Sequence, residues 1–134
     1  MTVIKMVDHL NVQVPPDKED EAKRFYGEIL GLEQLKKPDN LGPRGAHYVI
    51  CKEPWQELHL GIAREDNAME VNMTVQRHWG FQVDDLDGTR AALEKAGFDT
   101  EDALPVISES RNINQKRFFT RDPGGNRVEL LEPR

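Results

Sequence analysis

The chain has 134 residues, 37% of them hydrophobic, and its 24 Asp and Glu exceed its 18 Lys and Arg, for a formal charge of −6. This length suits a single domain over residues 1–134. The excess of acidic residues and the absence of a basic stripe in the sequence argue against a nucleic-acid partner. No apolar run in the sequence is long enough to cross a membrane. The first ten residues lack the layout of a signal peptide and the one cysteine cannot form an internal disulfide, so we expect a cytoplasmic protein.

The first half of the chain predicts a strand, a helix and three further strands. Residues 3–14 alternate polar and apolar side chains as far as a Pro-Pro pair, which is typical of a strand with one apolar face. Asp17 can cap the following helix and Gly31 can end it. Residues 33–45 then predict a short strand and a turn-rich loop, and residues 46–62 predict two strands joined at Glu53-Pro54. The apolar stripe of the helix comprises Ala22, Phe25, Tyr26, Ile29 and Leu30.

The second half repeats this order after a polar stretch at residues 63–77, which we interpret as the linker. Residues 78–83 predict a strand and residues 84–98 a helix that Gly97 ends, with Leu86, Leu93 and Ala96 facing inward. A short strand at 98–100, a long loop at 103–115 and a hairpin at 116–132 follow, the hairpin reversing at Asp-Pro-Gly-Gly. The repeat predicts an α+β protein built from two similar modules, residues 1–66 and 74–134.

The polar faces of the predicted strands carry possible metal ligands. "HLNVQV" and "HWGFQV" place His9 and His78 at the same point of the first strand of each half, on the face opposite the apolar side chains. Glu129 in "NRVELLE" and either Glu57 or His59 in "WQELHLGI" have the same phase in the last strands. If these strands point the same way, the side chains converge on one concave surface. Imidazoles with a carboxylate suit a divalent Zn, Ni, Mn or Fe(II) ion.

Each of these residues also has an ordinary structural interpretation. A single strand histidine is more often solvated than metal-bound, and His47, at a predicted strand start, fits that surface role. Glu129 could be an exposed strand carboxylate, but its apolar neighbours indicate burial, which is costly for an unpaired carboxylate and would be relieved by a metal. Trp79 is most simply a core residue facing the helix, and Trp55 packs in a turn or lines a groove. Four cations are candidates for holding an anionic substrate group, although each is more often a surface charge: Arg44, Arg111, Lys116 and Arg117.

Four segments together resemble the vicinal oxygen chelate superfamily, which contains glyoxalase I, extradiol dioxygenases and bleomycin-binding proteins. They are "DHLNVQV", "AKRFYGEILGLE", "HWGFQVDDLDGTRAALEKAGF" and "RFFTRDPGGNRVELLEP". The resemblance implies two βαβββ modules whose sheets curl into a cleft around a divalent metal ion. It also implies a homodimer, often with each site built from both chains.

Transferred to this chain, the resemblance implies that His9, His78 and Glu129 are metal ligands. The ligand on the fourth strand is ambiguous, because Glu57 and His59 share a face; the spacing from His59 to Glu129, within one residue of that from His9 to His78, favours His59. Glyoxalase I-like members commonly have a glutamate at this position. A histidine ligand would therefore argue against glyoxalase I itself.

The implied function is a metal-dependent enzyme that chelates neighbouring oxygens of a small-molecule substrate. It would be a lyase or isomerase of the glyoxalase type or a dioxygenase of the extradiol type, with Glu129 detaching from the ion to act as a catalytic base. The alternative is a non-enzymatic drug- or metabolite-binding protein of the bleomycin-resistance type, which lacks the metal ligands and uses an aromatic groove. The four candidate ligands favour the enzyme, and the two tryptophans are compatible with the binding protein.

Overall fold

The computed structural model describes residues 4–64 and 77–134. The chain divides into two compact units, Met1–Met69 and Glu70–Arg134. The first strand was predicted to span residues 3–14, but residues 4–8 are not in a strand, so it begins later than predicted, at His9. Most of the predicted linker at 63–77 lies outside the described residues. The proposed module bounds of 1–66 and 74–134 therefore stay a prediction.

The first unit is a four-stranded mixed sheet with a helical segment between its first two strands. The sheet order is β1-β4-β3-β2, with β1 parallel to β4 and the other pairs antiparallel. The elements are β1 (His9–Val14), a 3₁₀ turn (Pro16–Lys18), α1 (Glu19–Lys23), a π-helical turn (Arg24–Ile29), β2 (Glu33–Leu35), β3 (Ala46–Lys52) and β4 (Trp55–Ile62).

The predicted first helix is present, but it begins and ends differently from a simple α-helix. The prediction that Asp17 caps it was wrong, because Asp17 lies inside the 3₁₀ turn and Lys18 occupies the capping position of α1 without a side-chain hydrogen bond. The last turn is wide: the Leu30 amide donates to the Phe25 carbonyl, five residues earlier. Gly31 follows with φ of +72°, which confirms it as the residue that ends the helix.

Period-two alternation decides which side chains of the first sheet are buried. Val12, Val14, Leu58 and Leu60 on β1 and β4 are at most 3% exposed, as are Phe25 and Tyr26 of the helical segment. Tyr48 of β3 lies against the helix, since a Cβ added to Gly27 would come 3.3 Å from its ring. Histidines and carboxylates of the same strands therefore lie on the opposite face of the sheet.

The second unit repeats this arrangement with one insertion. Its sheet has the order β5-β10-β9-β6, with β5 parallel to β10. Residues 103–115, predicted to be a loop, contain a two-stranded hairpin, which corrects that prediction. The elements are β5 (His78–Gln82), α2 (Leu86–Lys95), β6 (Thr100–Asp102), β7 (Val106–Ser108), β8 (Ile113–Gln115), β9 (Arg117–Arg121) and β10 (Arg127–Leu131).

The turn between β9 and β10 holds the two strands of the predicted hairpin in register. The buried carboxylate of Asp122 accepts hydrogen bonds from the Gly124 amide at 2.9 Å and from the Asn126 amide at 2.8 Å. Gly125 has φ of +82°, a conformation that costs a glycine little. This turn fixes the position of Glu129 along β10.

The fold class predicted from the sequence, α+β with tandem βαβββ units, is confirmed. Among the described residues, no helix is both long and apolar enough to span a bilayer.

Candidate metal-binding and catalytic site

Strand register relates the candidate ligands of the two units. In the first unit His9 is opposite Glu57 and Asn11 is opposite His59. In the second unit His78 is opposite Arg127 and Gly80 is opposite Glu129. Counted from the histidine of the first strand, His59 therefore occupies the register position that Glu129 has in the second unit. This favours His59 over Glu57 as the counterpart of Glu129.

Three histidine rings form a stack on the polar face of the first sheet. The His59 ring is parallel to the His47 ring, with centroids 3.6 Å apart and planes within 5°, and it stacks on the His9 ring at 4.2 Å. His47 is only 8% exposed, so the prediction that it is an ordinary surface residue was wrong. Burial is the main cause that lowers the pKa of His47, and the neighbouring His59 lowers it further. His47 is therefore predominantly neutral at pH 7 and keeps a lone pair for coordination.

Glu57 connects the histidine stack to an exposed tryptophan. Its Oε1 atom accepts a hydrogen bond from His59 Nε2 at 3.0 Å and lies 3.8 Å from His47 Nδ1, and its Oε2 accepts one from Trp55 Nε1 at 2.6 Å. The hydrogen bond from Trp55, followed by that from His59, lowers the pKa of the Glu57 carboxyl. Glu57 is thus a carboxylate at neutral pH. Trp55 is 45% exposed, so it is presented to solvent rather than packed in the turn.

In the second unit His78 contacts the buried carboxylate of Glu129. His78 Nε2 donates to Glu129 Oε2 at 2.9 Å, because an ionised carboxylate can only accept, and Arg117 Nη1 donates to Oε1 at 3.1 Å. The predicted burial of Glu129 is confirmed, since it is 8% exposed. Gly80, opposite Glu129, provides the space: an added Cβ there would lie 3.4 Å from Glu129 Oε2.

An aromatic ring lies beside this pair of residues. The Phe119 ring meets His78 edge-on, with centroids 5.2 Å apart, and the Arg127 guanidinium lies 3.6 Å above the same ring. Trp79, predicted to face the helix in the core, is only half-buried. The polar face of the second unit therefore combines a carboxylate, an imidazole, an aromatic ring and two guanidinium groups.

The donor chemistry of both clusters fits a divalent metal ion. One ligand atom each of His47, Glu57 and His59 lies within 4.8 Å of the others, and imidazole nitrogens with a carboxylate oxygen are the donors that Zn, Ni, Mn and Fe(II) accept. His78 and Glu129 supply the same donor types in the second unit. The convergence of His9, His59, His78 and Glu129 on one ion stays a prediction.

Two residues of these clusters, His47 and Arg117, are not predicted from the sequence to contact the candidate ligands. His47 follows Gly45-Ala46, and a surface position was assumed although its phase on β3 could have indicated the polar face. Arg117 was considered only as a candidate for an anionic substrate group. The contact of Arg117 with Glu129 could have been inferred from the predicted pairing of β9 with β10. That pairing places Arg117 opposite Leu131, which lies two residues after Glu129 on β10.

Comparison with known proteins identifies one family over most of the chain. The family model of the Glyoxalase/Bleomycin resistance protein/Dioxygenase superfamily matches residues 7–130. "Glyoxylase I 4" of Arabidopsis thaliana is 26% identical over 118 residues, which cover 83% of this chain and 62% of the plant protein. The chain thus spans less than two thirds of that relative.

Solved structures share the fold. A protein from Bacillus anthracis, described as of the glyoxalase family, is 31% identical with a TM-score of 0.74 and covers 100% of this chain and 99% of its own. TnmS3, an antibiotic binding protein from Streptomyces sp. CB03234, superposes with a TM-score of 0.68 at 21% identity, covering 100% of both chains. At that identity the second likeness concerns the fold alone.

Proposed function

This chain belongs to the Glyoxalase/Bleomycin resistance protein/Dioxygenase superfamily, and on that premise we propose that it is a divalent-metal-dependent enzyme. Its substrate is a small metabolite with two neighbouring oxygens, and its reaction is a lyase or isomerase reaction of the glyoxalase type or a dioxygenation of the extradiol type. The proposed metal ligands are His9, His59, His78 and Glu129. The proposal includes a homodimer located in the cytoplasm.

The contact between His78 and Glu129 is the single observation that carries the proposal. A carboxylate that is 8% exposed, 2.9 Å from an imidazole and 3.1 Å from the Arg117 guanidinium is the kind of buried, charge-paired group that clusters at functional sites. The matching register position in the first unit carries His59, with His9 stacked on it. Ligand-type side chains thus occur at equivalent places in both units.

The residues of the second unit support proton transfer. A bound divalent ion would act as a Lewis acid on the substrate oxygens. Glu129, held between Arg117 and His78, is the proposed base: it takes a proton from the substrate, and its burial keeps bulk water away from that proton. Arg117 holds one carboxylate oxygen and leaves the other directed at His78. Phe119 closes one side of the site against His78.

Metal content and activity of matched variants test the proposal. The protein is purified without added metal, loaded separately with Zn²⁺, Ni²⁺, Mn²⁺ and Fe²⁺, and assayed for hemithioacetal isomerisation and for oxygen uptake on catechols. We expect one activity in the wild type and its loss, by at least about 100-fold, in His78→Ala and Glu129→Ala. Glu109→Ala, which changes an exposed loop carboxylate, is the control and keeps full activity.

If the wild-type protein binds none of the four ions, the result would instead favour a ligand-binding protein. The observation that favours this alternative is Trp55, a large aromatic side chain 45% exposed beside the histidine stack. Quenching of tryptophan fluorescence by an aromatic drug such as bleomycin, in protein without metal and unchanged by Glu129→Ala, would support it.

A further inference from the structure

We propose that the first unit holds a divalent metal ion by itself, with His47, Glu57 and His59 as its ligands. This set shares His59 with the four ligands of the proposed function, but it needs neither His78 nor Glu129 and adds His47 and Glu57. It includes His47, which neither the sequence pattern nor the family resemblance assigns to a metal.

Distances within the cluster bring one ligand atom of each of the three residues close together. Glu57 Oε1 lies 3.0 Å from His59 Nε2 and 3.8 Å from His47 Nδ1, and the three ligand atoms are all within 4.8 Å of one another. A tetrahedral ion with bonds of about 2.1 Å requires donors about 3.4 Å apart. The cluster is therefore close to the required spacing before any ion enters.

A comparison of the two sheets shows that the position equivalent to His47 can hold an apolar ring. His47 is opposite His59 on β3 and β4, and Phe119 is opposite Glu129 on β9 and β10. The equivalent position of the second unit thus holds an apolar ring of similar size, buried to a similar degree. An imidazole buried at a position where the other unit has a phenylalanine carries an added desolvation cost, which coordination of an ion would offset.

Binding of an ion must change the ring stack in a measurable way. The rings of His47 and His59 are parallel within 5°, and a ring nitrogen coordinates an ion in the plane of its own ring. Both rings cannot direct a lone pair at one ion while they remain parallel and face to face. We therefore expect the two rings to tilt apart around the ion, with Glu57 exchanging its hydrogen bond to His59 for a bond to the metal.

Titration of Co²⁺ into a set of variants tests the inference. The background is the double variant His78→Ala/Glu129→Gln, which removes the ligands of the second unit. We expect this protein to bind one Co²⁺ per chain, measured by visible absorption and by metal analysis after gel filtration. Adding His47→Phe keeps a ring in the stack but removes its nitrogens, and we expect the affinity to fall at least about tenfold.

Two further measurements keep the outcome unambiguous. Far-UV circular dichroism checks that His47→Phe folds, as Phe119 in the second unit leads us to expect. Ring ¹⁵N correlations of the double variant with Zn²⁺ should shift for both His47 and His59.

A double variant that binds no Co²⁺, or a triple variant that binds it as tightly as the double, would overturn the inference. A different result would contradict the four-ligand set of the proposed function. In that case the wild type and the double variant would take up the same number of ions with the same affinity.

Discussion

Arg117 Nη1 lies 3.1 Å from Glu129 Oε1, and that carboxylate is 8% exposed. From its apolar neighbours in the sequence, Glu129 is expected to be buried at a cost that a metal would relieve. The arginine already supplies a positive charge to one oxygen, and His78 donates to the other. Glu129 is thus stabilised within its own unit before any ion is considered, and Arg117 is the residue on which that depends.

Replacing Arg117 with methionine should destabilise the fold. The change keeps most of the apolar side chain and leaves a buried carboxylate with only His78 as a described partner, so we expect a loss of about 1–3 kcal/mol in the free energy of unfolding. Urea unfolding measures it. Arg24→Met, at an exposed arginine 3.9 Å from Glu28, is the matched control and should change stability by less than about 0.5 kcal/mol. Equal stability of the two variants would contradict the assigned role of Arg117.

The carboxylate of Glu19 should make stability depend on pH. Its Oε1 accepts a hydrogen bond from the Gly45 amide at 2.6 Å, and this bond is the main cause that lowers its pKa below the ordinary 4.5, with Lys23 and Arg44 contributing. A carboxyl whose pKa is lower in the folded protein stabilises the fold above pH 4.5, and that contribution disappears as pH falls through the folded-state pKa.

Thermal unfolding of Glu19→Gln at two pH values checks this expectation. At pH 7 the variant should unfold several degrees below the wild type, because the acceptor of the Gly45 hydrogen bond loses its charge, which is worth about 1 kcal/mol. At pH 3 the difference should shrink. Asp39→Asn, which removes the charge of an exposed carboxylate 3.5 Å from Lys36, is the matched control and should lower the unfolding temperature at pH 7 by much less than Glu19→Gln. A difference for Glu19→Gln that is the same at both pH values would exclude the electrostatic explanation.

Substitution of Gly45 should strongly lower the free energy of unfolding, because its backbone has a positive φ and lies close to β4. Gly45 has φ of +76°, and a Cβ at this position would collide with the Leu60 carbonyl oxygen. Gly45→Ala should therefore cost about 2–4 kcal/mol, from backbone strain and the clash together. Gly31→Ala is the control: its φ is also positive, at +72°, but no atom lies within 4 Å of the added carbon, so about 1 kcal/mol is expected.

Chemical denaturation compares the two glycine variants. Equal losses would show that backbone strain alone matters and that the approach of Leu60 does not. Because Gly45 directly precedes Ala46 and His47, Gly45→Ala should also weaken Co²⁺ binding by the first unit if that unit holds an ion.

Several local features were predictable because they depend on residues close together in the chain. The alternation around His9 and His78 marks strands, and Gly31 and Gly97 end helices because a positive φ favours glycine. The turn beginning at Asp122 follows from a carboxylate that accepts hydrogen bonds from amides two and four residues later. The prediction that Asp17 caps the first helix was wrong, because Asp17 lies inside a 3₁₀ turn. A 3₁₀ turn and a helix cap compete for the same few residues, and the local sequence pattern does not decide which of the two forms.

Apart from the β7–β8 hairpin, which was predicted to be a loop, the sequence by itself determined the strand and helix order. It also determined the polar phase of the ligand-type side chains and, through its motifs, the family, because all three reside in short-range patterns. Only the tertiary structure decided that His47 is buried on the ring of His59, that Glu57 bonds to both His59 and Trp55, and that Arg117 neutralises Glu129. Those contacts depend on which strands pair and in what register. Pairing joins residues many positions apart, and no period within a single strand encodes it.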